Sequence, residues 1–98
     1  MPWVYIVECS DASYYTGSTW NLDTRITQHQ LGAGAVYTST RTPVLLRFCM
    51  ETESIREAYD WERRIHGWSR AKKEALIEGR LNDLPRLSRN RQGEVGGE

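Results

Sequence analysis

The stretch VYIVECSDASYYTGST, Val4 to Thr19, contains two short runs of β-forming residues around a polar loop, Ser10 to Ala12. This pattern predicts a β-hairpin with strands over Val4 to Cys9 and Ser13 to Ser18. Tyrosines stand on both strands, where a plain hairpin needs only apolar residues. Aromatic packing across the two strands is one explanation, because aromatic side chains suit half-buried sheets.

The length of the loop decides whether the tyrosines share a face. A two-residue turn would place Tyr5 and Tyr15 on opposite faces, whereas the three-residue loop pairs Tyr5 with Gly17 and Val7 with Tyr15. Such a loop needs a positive φ at its last residue, which costs Ala12 about 1 kcal/mol. Gly17 opposite Tyr5 leaves an opening of the kind that strand glycines often provide for a ligand.

Length and composition indicate a globular protein without structural metals or disulfides. The chain has 98 residues, enough for one domain with its own core. Its two cysteines, Cys9 and Cys49, form no C-x-x-C motif and are expected to be small apolar strand residues. Without an apolar run long enough for a membrane span, we expect a reduced, cytoplasmic protein.

After the hairpin the pattern changes to a helix and a third strand. Asn21 is a suitable N-cap, and glycines at 32 and 34 end the helical pattern. Residues 35–43, AVYTSTRTP, read as a polar loop. Residues 44–51, VLLRFCME, predict a strand with alternate apolar residues on one face: Val44, Leu46, Phe48 and Met50.

Two further helices complete the predicted fold. The capping box Ser54-x-x-Glu57 begins one that ends at Gly67, and Ser69 caps another that ends at Gly79. The order β-β-α-β-α-α has local connections only, so we predict an α+β fold with a three-stranded antiparallel sheet flanked by about three helices. The predicted domain covers residues 1–83, and we expect the C-terminal tail, 84–98, to be disordered.

Charge is balanced overall and uneven locally. Thirteen basic and thirteen acidic residues cancel, which argues against a partner held by bulk charge alone. Five cations and His66 nevertheless occur without an acid between residues 63 and 73. The run is either a basic patch for nucleic acid or a solvated helical face, and its cations are Arg63, Arg64, Arg70, Lys72 and Lys73.

Two helical side-chain pairs are candidates for chemistry. Arg25 and His29 are four residues apart and share a helix face, although such a pair can also be an edge arginine and a satisfied core histidine. Glu62 falls within the predicted apolar stripe of the second helix, where an unpaired carboxylate is costly. It needs hydrogen bonds, a metal ion or an ion pair, for which Arg25 is the structural candidate. The stripe residues are Ile55, Ala58, Tyr59 and Ile65.

Together, these residue types suit hydrolysis of a phosphodiester. Mg²⁺ commonly accepts one or two carboxylates and keeps water and substrate phosphate as its other ligands. An arginine can hold a nonbridging phosphate oxygen. A phenol has a pKa of about 10 and is a poor base at neutral pH unless the metal and the arginine lower that pKa. Once its pKa is lowered, it can take a proton from the attacking water.

The motifs WVYIV, YYTGST and NLDTRITQH, in this order and spacing, resemble the GIY-YIG endonuclease domain. Trp3-Val4-Tyr5 stands in place of GIY and Tyr15-Thr16-Gly17 in place of YIG. The stretches GAVYTSTRTPVLLRF and EAYDWERRIHGWSRAKKEAL are similar to the small stand-alone bacterial branch of that family, which is uncharacterised. The resemblance covers about Trp3 to Ile77. The asparagine that many members carry after the glutamate helix has no assigned counterpart.

The resemblance implies a site and an activity. It implies active-site roles for Tyr5 and Tyr15, with Tyr5 favoured as general base, Arg25 as catalytic arginine, His29 as supporting histidine and Glu62 as the ligand of one Mg²⁺ or Mn²⁺ ion. Gly17 corresponds to the motif glycine. Family enzymes cut DNA to leave a 5′ phosphate and a 3′ hydroxyl.

We therefore predict a metal-dependent DNA endonuclease, with branched or damaged DNA in repair or recombination as candidate substrates. The run from Arg63 to Lys73, with Arg41 in the polar loop, is predicted to contact the DNA backbone. The alternative is a nucleic-acid-binding or protein-docking module that keeps the fold and cleaves nothing. Near-zero net charge favours this alternative, whereas the complete residue set favours the enzyme.

Overall fold

The computed structural model describes residues 1–85 and has an α+β fold with a three-stranded antiparallel sheet. This confirms the predicted fold class. The chain forms two compact units, the first Met1–Gly67 and the second beginning at Trp68. The predicted tail lies, from residue 86 onward, outside the described residues. The elements in chain order are β1 (Trp3–Glu8), β2 (Tyr14–Thr19), α1 (Leu22–Gln30), α2 (Val36–Ser39), β3 (Leu45–Glu51), α3 (Ile55–His66), α4 (Arg70–Ile77) and a 3₁₀ turn (Leu81–Asp83).

The β1–β2 hairpin has the register that a three-residue loop predicts. Tyr5 pairs with Gly17 and Val7 pairs with Tyr15, so both tyrosine side chains lie on the same face of the sheet. Ala12 has φ of 70°, which is the left-handed conformation expected at the end of the loop. The predicted register and the predicted backbone strain are both confirmed.

A β-bulge in β3 changes which of its residues share a face. β1 is the central strand, and its pairing with β3 shifts between Ile6, which pairs with Phe48, and Val7, which pairs with Leu46. Arg47 is the extra residue. The prediction that Leu46 and Phe48 share a face is therefore wrong, because one inserted residue moves everything before it to the opposite face.

The first unit contains one short helix that the sequence did not indicate. In α1, the side chain of Asn21 accepts a hydrogen bond from the backbone N–H of Thr24 (3.0 Å), as the predicted N-cap requires. Residues 35–43, expected to be a polar loop, include the single turn of α2. Four residues are too few for a helical apolar period to show. Thr38 is the buried residue of α2 and faces the site described below.

α3 packs against β1 and β2, with a narrower buried face than the sequence indicates. Ser54 caps the helix as predicted, and Ala58 and Ile65 are its buried residues. The predicted burial of Tyr59 is wrong, since this side chain is 50% exposed, and Glu62 is only partly buried. Ala58 and Ile65 define the centre of the buried face. Around the helix axis, Glu62 lies about 50° from this centre and Tyr59 about 110°, so Glu62 is at the edge of the buried face and Tyr59 is outside it.

The core under α1 includes one of the two predicted catalytic tyrosines. Buried residues on the Tyr5 side of the sheet form one apolar cluster, and Tyr15, Leu22 and Ile26 pack against it. Its members are Tyr5, Val7, Cys9 and Val44. Cys9 is buried and Cys49 is exposed, and both thiols are free. Across residues 1–85, no helix is long and apolar enough to cross a membrane.

The second unit begins with α4, which Ser69 caps by accepting a hydrogen bond from the backbone N–H of Lys72 (3.2 Å). This confirms the predicted start of the third helix. The helix ends before Gly79, whose φ is 77°. Arg80 then forms ion pairs with Glu78 (2.8 Å) and Asp83 (2.5 Å), which hold the 3₁₀ turn.

We predict that Gly17→Ala destabilises the protein, because a Cβ at this position would lie 2.4 Å from the Tyr5 hydroxyl oxygen. The free energy of unfolding should fall by about 1–3 kcal/mol, as is usual for overpacking a core. Gly67→Ala is the matched control, since its Cβ would meet no atom closer than 3.7 Å. Chemical denaturation of both variants measures the difference, and equal stabilities would contradict the packing described.

Candidate active site

A chain of hydrogen bonds connects β1, α1 and α2 inside the first unit. The Tyr5 hydroxyl lies 2.7 Å from Nε2 of His29, and Nδ1 of His29 lies 2.8 Å from Oγ1 of Thr38. Thr38 Oγ1 in turn donates to the carbonyl oxygen of Ala35 (3.3 Å). Tyr5, His29 and Thr38 are all at most 2% exposed, so water does not compete for these bonds.

The hydroxyl of Thr38 decides which atom donates in each of these hydrogen bonds. Because Thr38 gives its hydroxyl proton to a carbonyl, its oxygen accepts from Nδ1–H of His29. A neutral imidazole with the proton on Nδ1 has an acceptor at Nε2, which takes the proton of the Tyr5 hydroxyl. The phenol of Tyr5 is thus hydrogen-bonded to a group that can receive its proton.

Arg25 lies one turn before His29 on α1, as the sequence predicts. Its Nη1 donates to the carbonyl oxygen of Gly34 (3.0 Å), and among residues 1–85 it forms no ion pair. Gly34 also packs against the imidazole, because a Cβ there would lie 2.5 Å from Nδ1 of His29. Arg25 lines a groove of about 260 Å³ together with Ser18 and Tyr59. Its guanidinium is anchored at one nitrogen and keeps its other donors for a ligand.

Tyr15 lies between His29 and the cavity that Glu62 lines. Its ring makes an edge contact with His29 (centroids 5.5 Å apart) and stacks on Tyr37 (5.9 Å). It also lines a cavity of about 380 Å³ with Glu62. Tyr5 and Tyr15 therefore flank the same imidazole, and Tyr15 is the more exposed of the two.

Glu62 is held by a hydroxyl rather than by an arginine. Ser18 Oγ donates to Glu62 Oε1 at 2.6 Å. Within the described residues, Glu62 and Arg25 form no ion pair, so the structural salt bridge considered as an alternative is absent. Ser18 fixes one carboxylate oxygen, and the structure gives the other oxygen no protein partner in residues 1–85.

The electrostatic surroundings keep both phenols protonated. Burial raises the pKa of Tyr5 far above its ordinary value of 10.0, with a further rise from Tyr15 and a smaller opposing effect of Arg25. Burial also raises the pKa of Tyr15, and Glu62 adds to it. Arg25 lowers the pKa of both phenols, but desolvation outweighs the attraction of this one cation. A phenol pKa lowered by the arginine and a metal ion together stays a prediction.

The pKa of His29 is shifted in the opposite direction. Burial lowers the pKa of its imidazole below the ordinary 6.5, and the charge of Arg25 lowers it further. The imidazole is therefore neutral at pH 7, as its hydrogen bonds require. Nε2 of the neutral imidazole is thus the hydrogen-bond acceptor of the Tyr5 hydroxyl.

Arg41, predicted to contact DNA, lies in an intramolecular network of the first unit. Its Nε donates to Asp11 (3.0 Å), its Nη1 donates to the carbonyl oxygen of Tyr37 (2.7 Å), and its guanidinium stacks over the Tyr37 ring at 4.0 Å. These bonds tie the hairpin loop to α2 and support the ring that stacks on Tyr15.

The predicted basic run is divided between the two units. In the first, Arg63 pairs with Asp60 (2.7 Å) and Arg64 lies over the Trp61 ring (5.1 Å). Acids just outside the run thus compensate part of its charge.

In the second unit, Arg70 pairs with Glu74 (3.1 Å) and Lys72 lies over the Trp68 ring (4.0 Å). Burial lowers the pKa of Lys73. A continuous patch from Arg63 to Lys73 stays a prediction.

Three contributors to the site were missed in the sequence. Ser18, Thr38 and Tyr37 hold Glu62, His29 and Tyr15 respectively. Ser18 follows the motif glycine by one residue, and a polar side chain beside Gly17 was the available signal. Thr38 and Tyr37 lie in α2, where the residue pattern gives no sign of burial.

Comparison with known proteins places the chain in a family. Residues 1–75 match the GIY-YIG catalytic domain. A UPF0213 protein of Halobacterium salinarum is 50% identical over 74 residues, which cover 76% of this chain and 96% of that protein. A UPF0213 protein of Halalkalibacterium halodurans is 45% identical over 75 residues, covering 76% of this chain and 80% of the relative.

A solved structure agrees with the same assignment. The solution NMR structure of the UPF0213 protein BH0048 from Bacillus halodurans is 44% identical in sequence and has a TM-score of 0.52. The likeness covers 80% of this chain and 84% of that one. The chain belongs to the GIY-YIG catalytic domain family, as the motifs around Tyr5 and Tyr15 indicated. The family is of the nuclease type, and its UPF0213 members are uncharacterised.

We predict that the buried neutral His29 makes stability depend on pH between 7.5 and 5.5. The unfolded chain binds a proton near pH 6.5, and the folded chain binds it only at lower pH. Stability should therefore fall with decreasing pH, by up to about 1.4 kcal/mol per pH unit between the two pKa values. The groups facing the imidazole are Tyr5, Tyr15, Thr38 and Arg25.

Urea denaturation across this range measures the slope, with His29→Gln as the control that removes it. NMR titration of the two imidazoles gives a second measurement on the unaltered chain. A His29 that titrates at or above 6.5 would contradict its description as a buried neutral group.

Proposed function

We propose that this protein is an endonuclease that hydrolyses DNA phosphodiester bonds. The observation that carries the proposal is the Tyr5 hydroxyl aimed at a neutral His29, with Arg25 and Glu62 close enough to influence the same phenol. Membership in the GIY-YIG family supports DNA as the partner.

The first proposed role of the site is to accept the proton of the attacking water. The water oxygen attacks phosphorus while its proton passes to the Tyr5 oxygen and the Tyr5 proton passes to Nε2 of His29. The imidazole then becomes a cation that remains hydrogen-bonded to Thr38. This relay avoids a free Tyr5 phenolate, which the burial of Tyr5 makes unfavourable. Burial and Arg25 also disfavour the His29 cation, so the relay needs the negative charge of the bound phosphate to offset that cost.

The second role is to hold the phosphate. Arg25 offers guanidinium donors that Gly34 does not occupy, and these suit a nonbridging oxygen as it gains charge. The bond from phosphorus to the 3′ oxygen breaks and the departing oxygen takes a proton from water. This assignment of the broken bond leaves the 5′ phosphate and 3′ hydroxyl that the family resemblance implies.

The third role is to bind one divalent cation, Mg²⁺ or Mn²⁺, through Glu62. The residues fit this ion, since Ser18 orients one carboxylate oxygen and no protein group of residues 1–85 occupies the other. The described residues contain no group of three or more metal-ligating side chains, which agrees with an ion that keeps mainly water and phosphate ligands. Bound there, the ion would neutralise charge developing on the phosphate.

The wider proposal concerns the substrate and its setting. The cations of the two units would contact the DNA backbone without reading bases, and branched or damaged DNA in a cytoplasmic repair pathway is the proposed substrate class. The 2% exposure of Tyr5 favours a second candidate, a non-catalytic nucleic-acid-binding module of the same fold. Cleavage assays separate the two functions.

We expect the purified protein with Mg²⁺ or Mn²⁺ to cut at least one DNA from a panel of duplex, flap, fork and four-way junction. Glu62→Gln should reduce cleavage by at least about 100-fold, because the amide keeps the shape and loses the charge that holds a cation. Binding without cleavage by wild type across the panel would contradict the endonuclease and support the binding module.

The same variant tests the account of Glu62 in the fold. An amide oxygen still accepts from Ser18 Oγ, so Glu62→Gln should change the free energy of unfolding by less than about 1 kcal/mol. Thermal and chemical denaturation check this independently of cleavage. A much larger loss would show that the carboxylate charge is needed for stability.

A further inference from the structure

A second potential metal ligand faces the cavity that Glu62 lines. His66 is the last residue of α3, four residues after Glu62, so the two side chains lie one turn apart on the same helix face. Both line the cavity of about 380 Å³ together with Tyr15, Thr16 and Arg63. The sequence pattern placed His66 only within a basic run.

The two imidazoles differ in their hydrogen bonds. Both nitrogens of His29 are used inside the protein, whereas within residues 1–85 His66 makes no hydrogen bond and no ion pair. Arg63, which lies between the two candidate ligands in sequence, has its own acidic partner in Asp60. His66 therefore presents an uncommitted nitrogen ligand at the cavity.

Thr16 is a buried polar residue in the wall of the same cavity. Thr16 is 3% exposed, lines the same cavity, and its Oγ1 has no hydrogen-bond partner among the described residues. This oxygen is inaccessible to water, so it lies behind the cavity surface and is not a ligand of a cation in the cavity. The candidate ligands that line the cavity are therefore Glu62 and His66.

We propose that Glu62 and His66 form a two-residue chelate for one divalent transition-metal cation. The proposal rests on the proposed function in taking Glu62 as the metal ligand, and it adds a nitrogen donor to a site otherwise made of oxygen. Imidazole suits late transition metals such as Co²⁺, Ni²⁺ and Zn²⁺, whereas Mg²⁺ and Mn²⁺ prefer oxygen ligands and Mg²⁺ retains its water. The site should therefore prefer a transition metal to Mg²⁺.

Titration of the full chain with Co²⁺ and with Mg²⁺, without DNA, tests the chelate. Calorimetry and the Co²⁺ absorption spectrum should show that His66→Ala weakens Co²⁺ binding by at least about tenfold, which corresponds to about 1.4 kcal/mol. Mg²⁺ binding should change less than Co²⁺ binding. Glu62→Gln should weaken both, and Arg56→Ala, on the same helix but not lining the cavity, should weaken neither.

NMR shows beside which imidazole a bound cation lies, because the chain has only two histidines. Substoichiometric Mn²⁺ should broaden the imidazole signals of His66 more than those of His29. His66→Gln repeats the binding test if the alanine variant melts at a lower temperature than wild type. Unchanged Co²⁺ binding in either folded variant, or broadening confined to His29, would overturn the chelate.

Failure of the chelate is distinguishable from failure of the proposed nuclease. If Glu62→Gln abolishes cleavage and His66→Ala leaves metal binding unchanged, the nuclease stands and the chelate is wrong. If Co²⁺ binding needs both residues and no DNA is cut with any metal, the chelate stands and the nuclease is wrong. If His66→Ala weakens metal-free DNA binding and leaves Co²⁺ binding intact, His66 contacts phosphate and the chelate is wrong.

Discussion

The hydrogen bond between the Tyr5 hydroxyl and His29 joins the central strand to α1 inside the core of the first unit. Much of the first unit is arranged around it. Gly17 lacks a side chain where the Tyr5 ring lies, and Gly34 lacks one where the imidazole lies. Thr38, on a short helix, accepts the hydrogen bond from Nδ1–H of the imidazole. Because both groups are buried and neutral, the bond stabilises the fold and keeps a proton acceptor beside a phenol.

This bond also distinguishes the surroundings of Tyr5 from those of Tyr15. Tyr5 has an acceptor for its own proton and little exposed surface, whereas Tyr15 is more exposed, stacks on Tyr37 and borders the cavity of Glu62. Burial raises the pKa of both phenols, so chemistry at neutral pH requires that a leaving proton have a destination. Only Tyr5 is hydrogen-bonded to such a destination among the described residues.

Local rules predicted the features that depend on local sequence. Loop length fixed the register of the hairpin and the common face of Tyr5 and Tyr15, and capping residues marked the helix starts. The bulge at Arg47 was not predicted, because the alternation of apolar residues indicates a shared face only in an uninterrupted strand. The contacts of Ser18 with Glu62 and of Thr38 with His29 were not predicted either. Their partners are 44 and 9 positions away in the sequence, so these contacts depend on tertiary packing. The roles of the site residues came from the family motifs, and the geometry brings those residues together without testing their roles.

The central claim is that Tyr5, acting with His29, receives the proton of the attacking water. Single-turnover cleavage by Tyr5→Phe and Tyr15→Phe, on the DNA that wild type cuts best, tests it most directly. The account predicts that Tyr5→Phe slows the chemical step by about 10² to 10⁴-fold, while Tyr15→Phe slows it less. Cleavage by Tyr5→Phe at the wild-type rate, with the variant folded and DNA binding unchanged, would contradict the account.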